Sequence, residues 1–119
     1  MKLIVDVQVI DLARAVRFYT EVLGLVCRHH DEVWAAIVVG DAEIHLYTDG
    51  GVREGVEFYV DDLGARVAEL ASRGVSFVSG MSKSSAIEYA DGITTFPWGR
   101  MAFFHDSEGN ELVLVKDFA

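Results

Sequence analysis

One histidine, His45, stands in the run Glu43-Ile44-His45-Leu46-Tyr47, with a carboxylate two residues before it and a phenol two residues after. Successive side chains of a strand point to opposite faces, so an extended backbone brings Glu43, His45 and Tyr47 to one side. Carboxylate and imidazole together can ligate a divalent metal or move a proton; with an aromatic ring they can also line a pocket for a cation. Asp6 and Gln8 alternate in the same way near the start of the chain, Glu57 and Tyr59 in the middle, and Glu111 near the end. Crowded carboxylates repel one another, and a bound cation relieves that repulsion. Tyr47, Tyr59 and Trp98 add aromatic faces. The candidate ligand-binding set is therefore Asp6, Gln8, Glu43, His45, Tyr47, Glu57, Tyr59, Trp98 and Glu111, with no catalytic residue assigned.

The remaining reactive side chains fall into weaker patterns. His29 and His30 are adjacent, so on a strand they face opposite ways and make a poor chelating pair. His105 sits at a strand end before "DSEGN", which reads as a turn with Gly109 supplying the unusual backbone angle. Trp34 and Trp98 can stack on a planar ligand or pack. Cys27 is the one cysteine, which excludes an internal disulfide and a cysteine-based metal site. No Ser-His-Asp order and no phosphate-binding loop is present.

The elements that must position these residues recur. Leu3, Val5, Val7 and Val9 form the apolar face of a strand. Leu12, Val16, Tyr19 and Leu23 then follow helical spacing, with Asp11 as N-cap and Gly24 as stop. Alternating stretches at residues 26–30, 33–39 and 43–47 complete a β-α-β-β-β unit. The pattern restarts at "GVEFYVDD", followed by a helix capped by Asp62, striped with Leu63, Val67 and Leu70, and stopped by Gly74. Strands are predicted at residues 75–78, 100–106 and 111–116, and "GMSKSSAIEYADGITTFPWG" reads as a long loop. The chain thus consists of one unit written twice, residues 1–50 and 54–119.

"VIDLARAVRFYTEVLGL" and "PWGRMAFFHDSEGNELVLVK" resemble the two hallmark segments of the vicinal oxygen chelate superfamily, which includes glyoxalase I, extradiol dioxygenases, and fosfomycin- and bleomycin-resistance proteins. The resemblance covers essentially the whole chain. It implies an α+β fold in which two tandem βαβββ modules curl into one eight-stranded mixed sheet around a cavity, with the helices on the outer face. It also implies a homodimer. Metal-dependent relatives carry four ligands, and the matching positions here are Ile4, His45, Gly55 and Val113; three of them have no donor side chain. A register shifted by two residues substitutes Asp6 and Glu57 and allows a non-standard metal site with His45. The closest match in character is to metal-free, bleomycin-resistance-like members: a small-molecule-binding protein holding a cationic, partly aromatic ligand in an acidic cavity, with no cofactor. The alternative is a metal-dependent glyoxalase- or dioxygenase-like enzyme (lyase, isomerase or oxygenase).

Composition bounds the partners. A chain of 119 residues, 51% hydrophobic with a single proline, has the size and content of one folded domain, and so small a domain gains from pairing with a second copy. The net charge of −9 disfavours nucleic acid, whose phosphates it repels. "MKLIVDVQVID" carries Asp6 early and reads as a strand, not a secretion signal. No apolar run approaches the roughly 20 residues that span a bilayer. The expectation is a cytoplasmic protein with a small-molecule ligand.

Overall fold

The alternating run at the start of the chain forms strand β1 (Ile4–Gln8) in a computed structural model of the protein, which describes residues 1–118. Asp11 caps α1 (Leu12–Arg17), its Oδ1 accepting the Arg14 backbone N–H at 3.0 Å. This fills one of the donors that a helix start leaves free. The helix does not reach Gly24 as a single α-helix. From Phe18 to Val22 it widens into a π-helical turn, in which the Leu23 N–H donates to the Phe18 carbonyl at 3.1 Å. Strands β2 (Val26–His30), β3 (Trp34–Val39) and β4 (Ala42–Tyr47) follow, giving a sheet of order β1-β4-β3-β2.

Register sorts this sheet into two faces. Val5 lies beside Ile44 and Val7 beside Leu46 on β1 and β4, while Ala35 and Ile37 of β3 continue the row. Val7, Ile44, Leu46, Ala35 and Ile37 form the core with Leu12, Ala15 and Tyr19 of the helical segment, and Val5 is half-buried beside them. The opposite face carries Ile4, Asp6 and Gln8 beside Glu43, His45 and Tyr47.

The same compact unit includes residues 1–54 and the turn 106–110. Glu108 in that turn accepts the backbone N–H groups of Ile10 and Asp11 at 2.9 and 2.7 Å, and the Arg14 guanidinium. Asn110 Nδ2 donates to the Gln8 carbonyl at 2.8 Å. The outer edge of β1 is covered by Val52, whose N–H donates to the Asp6 carbonyl at 2.8 Å and whose carbonyl accepts from Gln8 at 3.0 Å. That close approach needs Gly51. Its φ is +124°, and a Cβ there would lie 2.7 Å from the Gln8 backbone nitrogen. Gly51→Ala is expected to destabilise the protein by about 2 kcal/mol or more, measured by urea denaturation.

The second unit comprises residues 55–105 and the strand that begins at Glu111. Strand β5 (Val56–Tyr59) leads to α2 (Leu63–Ser72), capped by Asp62 through the Ala65 N–H at 3.0 Å. Here the structure departs from expectation. Residues 75–78 form no strand, only an isolated bridge from Val78 to Phe103. The expected loop instead holds a hairpin, β6 (Glu88–Ala90) and β7 (Ile93–Phe96). Its two-residue turn places both Asp91 (φ 53°) and Gly92 (φ 81°) in the left-handed region, the geometry that Asp-Gly favours because it matches the twist of the flanking strands. Strands β8 (Gly99–His105) and β9 (Glu111–Asp117) complete a sheet of order β5-β9-β8-β7-β6. The α+β class stands, but the strands form separate sheets of four and five, not one sheet of eight. Leu63, Val67 and Leu70 of α2 are buried, as are Leu112, Leu114, Ala102 and Phe104 of the sheet. Among the described residues no helix is long and apolar enough to cross a membrane.

Candidate functional site

The β2–β3 turn sets the first site in place. Asp31 Oδ1 accepts the backbone N–H groups of Val33 and Trp34 at 2.7 and 3.0 Å, and Oδ2 lies 2.8 Å from His29 Nε2. The Trp34 and Val33 N–H groups, then His29, hold the Asp31 carboxyl down at about 2. Trp34 is thereby fixed at the start of β3, opposite Tyr47. Its ring stacks on His29 at 4.4 Å between centroids and 28° between planes, and lies nearly parallel to Tyr47 at 6.0 Å and 13°. His45 packs at their side, 4.9 Å from Trp34. A row of rings thus crosses β2, β3 and β4 on the face opposite the helix.

Glu43 does not contribute a free negative charge to this face. It is only 2% exposed. A bulge between Cys27 and His29 supplies one extra residue on β2, and that residue, Arg28, donates to both Glu43 oxygens, Nη2 at 2.9 Å and Nε at 3.0 Å. Lys2 Nζ and His45 Nε2 also bond the carboxylate. Arg28, Lys2 and His45 keep its carboxyl well below the usual carboxylate range. An ionised carboxylate only accepts, so His45 Nε2 carries the hydrogen and donates at 2.8 Å. Two cations enclose a carboxylate that the sequence alone presented as part of an acidic field.

Asp6 is exposed and sits beside His45 in register. With Tyr47, Asp49, Gly50 and Gly51 it lines an open cleft of about 240 Å³. Gln8 is half-buried beside Tyr47, with its backbone groups engaged by Val52 and Asn110.

The second unit has its own cavity, about 260 Å³, on the sheet face that carries Glu57, Val113, Phe103 and Met101. Glu57 and Glu111 line it together with Phe96 and Trp98. Trp98 lies in the tight turn between β7 and β8, stacked on Phe96 at 5.5 Å and 18° and 45% exposed. Glu111 has a cation nearby, Lys83 at 3.7 Å. Tyr59 lies outside this cavity and lines a cleft with Asp61, Asp62 and Arg66. Lys116 already covers its ring at 5.0 Å and donates to its hydroxyl at 2.8 Å. Lys83, Phe96, Met101 and Phe103 were not singled out from sequence. The alternation through "GRMAFF" carries the signal for Phe103, which lies beside Val113, whereas Phe96 lies on a hairpin inside the segment whose composition reads as loop.

The donor set does not fit the family's metal. Of the four matching positions only His45 can coordinate, because Ile4, Gly55 and Val113 have no donor side chain, and one imidazole does not make a metal site. Register places Asp6 next to His45 and Glu57 next to Val113, so the two-residue shift adds one carboxylate in each unit. Among the described residues no three histidine, cysteine or carboxylate side chains gather as a metal site.

The sequence matches the model of the Glyoxalase/Bleomycin resistance protein/Dioxygenase superfamily over residues 3–114, and the chain belongs to that superfamily. Among solved structures it is similar to TnmS3, an antibiotic binding protein from Streptomyces sp. CB03234, with 24% identity, coverage of 98% of this chain and 95% of that one, and a TM-score of 0.76. A glyoxalase/bleomycin resistance protein from the same strain shares 26% identity over 97% and 98% of the two chains, with a TM-score of 0.68. A superfamily member from Sphaerobacter thermophilus DSM 20745 is 19% identical over 98% and 97%, with a TM-score of 0.74. No curated protein matches the sequence.

Proposed function

We propose that this protein binds and sequesters a planar aromatic, cationic small molecule without a metal and without breaking a bond. The observation that carries this is the pairing of aromatic surface with carboxylates in each unit: Tyr47, with Trp34 lying parallel to it, lines a cleft with Asp6, and Phe96 and Trp98 line a cavity with Glu57 and Glu111. Aromatic faces stack on a flat ligand and attract its positive charge. The net charge of −9 acts in the same direction. TnmS3, an antibiotic binding protein, supports a small molecule as the ligand, with protection arising from stoichiometric capture.

The expected setting is the cytoplasm and the expected state a homodimer. Leu3, Ile10, Val26 and Val33 are each about two-thirds exposed, apolar surface that a second copy could cover. A metal-dependent lyase, isomerase or oxygenase is disfavoured by the donor set. The test is thermal unfolding across a panel of planar aromatic cations, neutral isosteres and anions. At a hundredfold excess over Kd, a binder should stabilise the protein by about 2.7 kcal/mol and be recovered chemically intact. Equal or greater stabilisation by the anions, or conversion of the compound, contradicts the proposal.

A further inference from the structure

An ammonium group already lines the cavity of the second unit. Lys83 Nζ lies 5.3 Å from the centre of the Phe103 ring and 3.7 Å from Glu111 Oε1. An aromatic face beside a carboxylate is the combination that attracts an alkylammonium ion. We propose that this is a cation subsite, that Lys83 is its tethered occupant, and that the amine of an aromatic ligand enters by displacing it. The proposal rests on the binding role given above and assigns the amine to one place.

Three features support displacement. The cavity lining holds Glu57 and Glu111 against the single cation Lys83, so negative charge remains in excess with the lysine in place. The lysine is held weakly: its side chain is 47% exposed and its 3.7 Å approach to Glu111 is longer than a hydrogen bond. An exposed pair of this kind shifts an equilibrium by no more than about fivefold, so an incoming amine loses little by moving it. Trp98, stacked on Phe96 and 45% exposed, leaves ring surface in the same cavity for the aryl part of the ligand. The ligand class is therefore an aryl-alkylammonium, with its charge over Phe103 near Glu111 and its ring on Trp98.

The test titrates the full chain, Lys83→Met and Glu111→Gln with 1-naphthylmethylammonium and with its neutral analogue 1-naphthalenemethanol, following the Trp98 indole N–H by NMR. Lys83 lies on an exposed loop, and methionine keeps its length without its charge. Lys83→Met should bind the amine up to about fivefold more tightly while leaving the alcohol unchanged; Glu111→Gln should weaken the amine alone. An unchanged amine affinity in either variant, or an equal gain for the alcohol in Lys83→Met, overturns the displacement proposal. If both probes shift Trp98 but Lys83→Met changes neither, the aromatic-binding role survives and the tethered occupant does not. If neither probe shifts Trp98 in any of the three proteins, both fail.

Discussion

Replacing Asp106 with alanine is expected to destabilise the protein by about 4 kcal/mol, the largest effect of any single substitution considered. Asp106 is buried and meets four donors. Oδ1 accepts the backbone N–H groups of Glu108 and Asn110 at 2.8 and 2.9 Å; Oδ2 accepts the Tyr19 hydroxyl at 2.7 Å and Asn110 Nδ2 at 2.9 Å. Tyr19 is itself fully buried, and its hydroxyl pKa is raised, first by burial and then by Asp106, so it stays protonated and donating. Alanine leaves these donors in a dry environment with no acceptor, and each unsatisfied group costs on the order of 1–3 kcal/mol before relaxation. Urea denaturation of Asp106→Ala beside Asp106→Asn measures the effect. A loss below about 1 kcal/mol for alanine would mean that water reaches the turn and replaces the carboxylate.

The second large effect is a dependence on acid. Burial alone would raise the Glu108 carboxyl, but the Arg14 guanidinium, the Asp11 N–H, the Ser107 hydroxyl and the Ile10 N–H outweigh it and hold the group at about 2, against an ordinary value of 4.5. A carboxyl with a depressed folded-state pKa stabilises the fold above its unfolded pKa, and that contribution is lost as pH falls through the folded value. The window here runs from pH 4.5 down to about 2, and the loss amounts to about 3 kcal/mol. Glu108→Gln should be less stable than the natural sequence at pH 7 and should approach it in stability at pH 2. Parallel stability curves for the two proteins across that window would show that Glu108 is not held ionised by its partners.

Much of the architecture is legible along the chain because local rules set it. Asp11 and Asp62 are each followed three residues later by the N–H they cap. The alternation from Ile4 to Gln8 and from Glu43 to Tyr47 places the candidate residues on one face because strand geometry has a period of two. What was not legible depends on contacts distant in sequence. Arg28 reaches Glu43 across fifteen residues through a bulge that no pattern announces, and Lys2 reaches it across forty-one. Glu43, paired with both cations, therefore adds little to the acidic field that alternation alone assigns to it. "DSEGN" announces a turn, but the turn's partners Ile10, Asp11 and Arg14 lie more than ninety residues away. The hairpin across Ala90 and Ile93 has a local signal, Asp91-Gly92, that the polar residues around it obscure.

Calorimetric titration of chelator-treated protein with a planar aromatic amine, repeated after adding zinc, manganese and iron(II), tests the central claim most directly. Saturable, stoichiometric heat that is unchanged by any of the metals is the predicted result. Heat that appears only once a metal has been restored would contradict it.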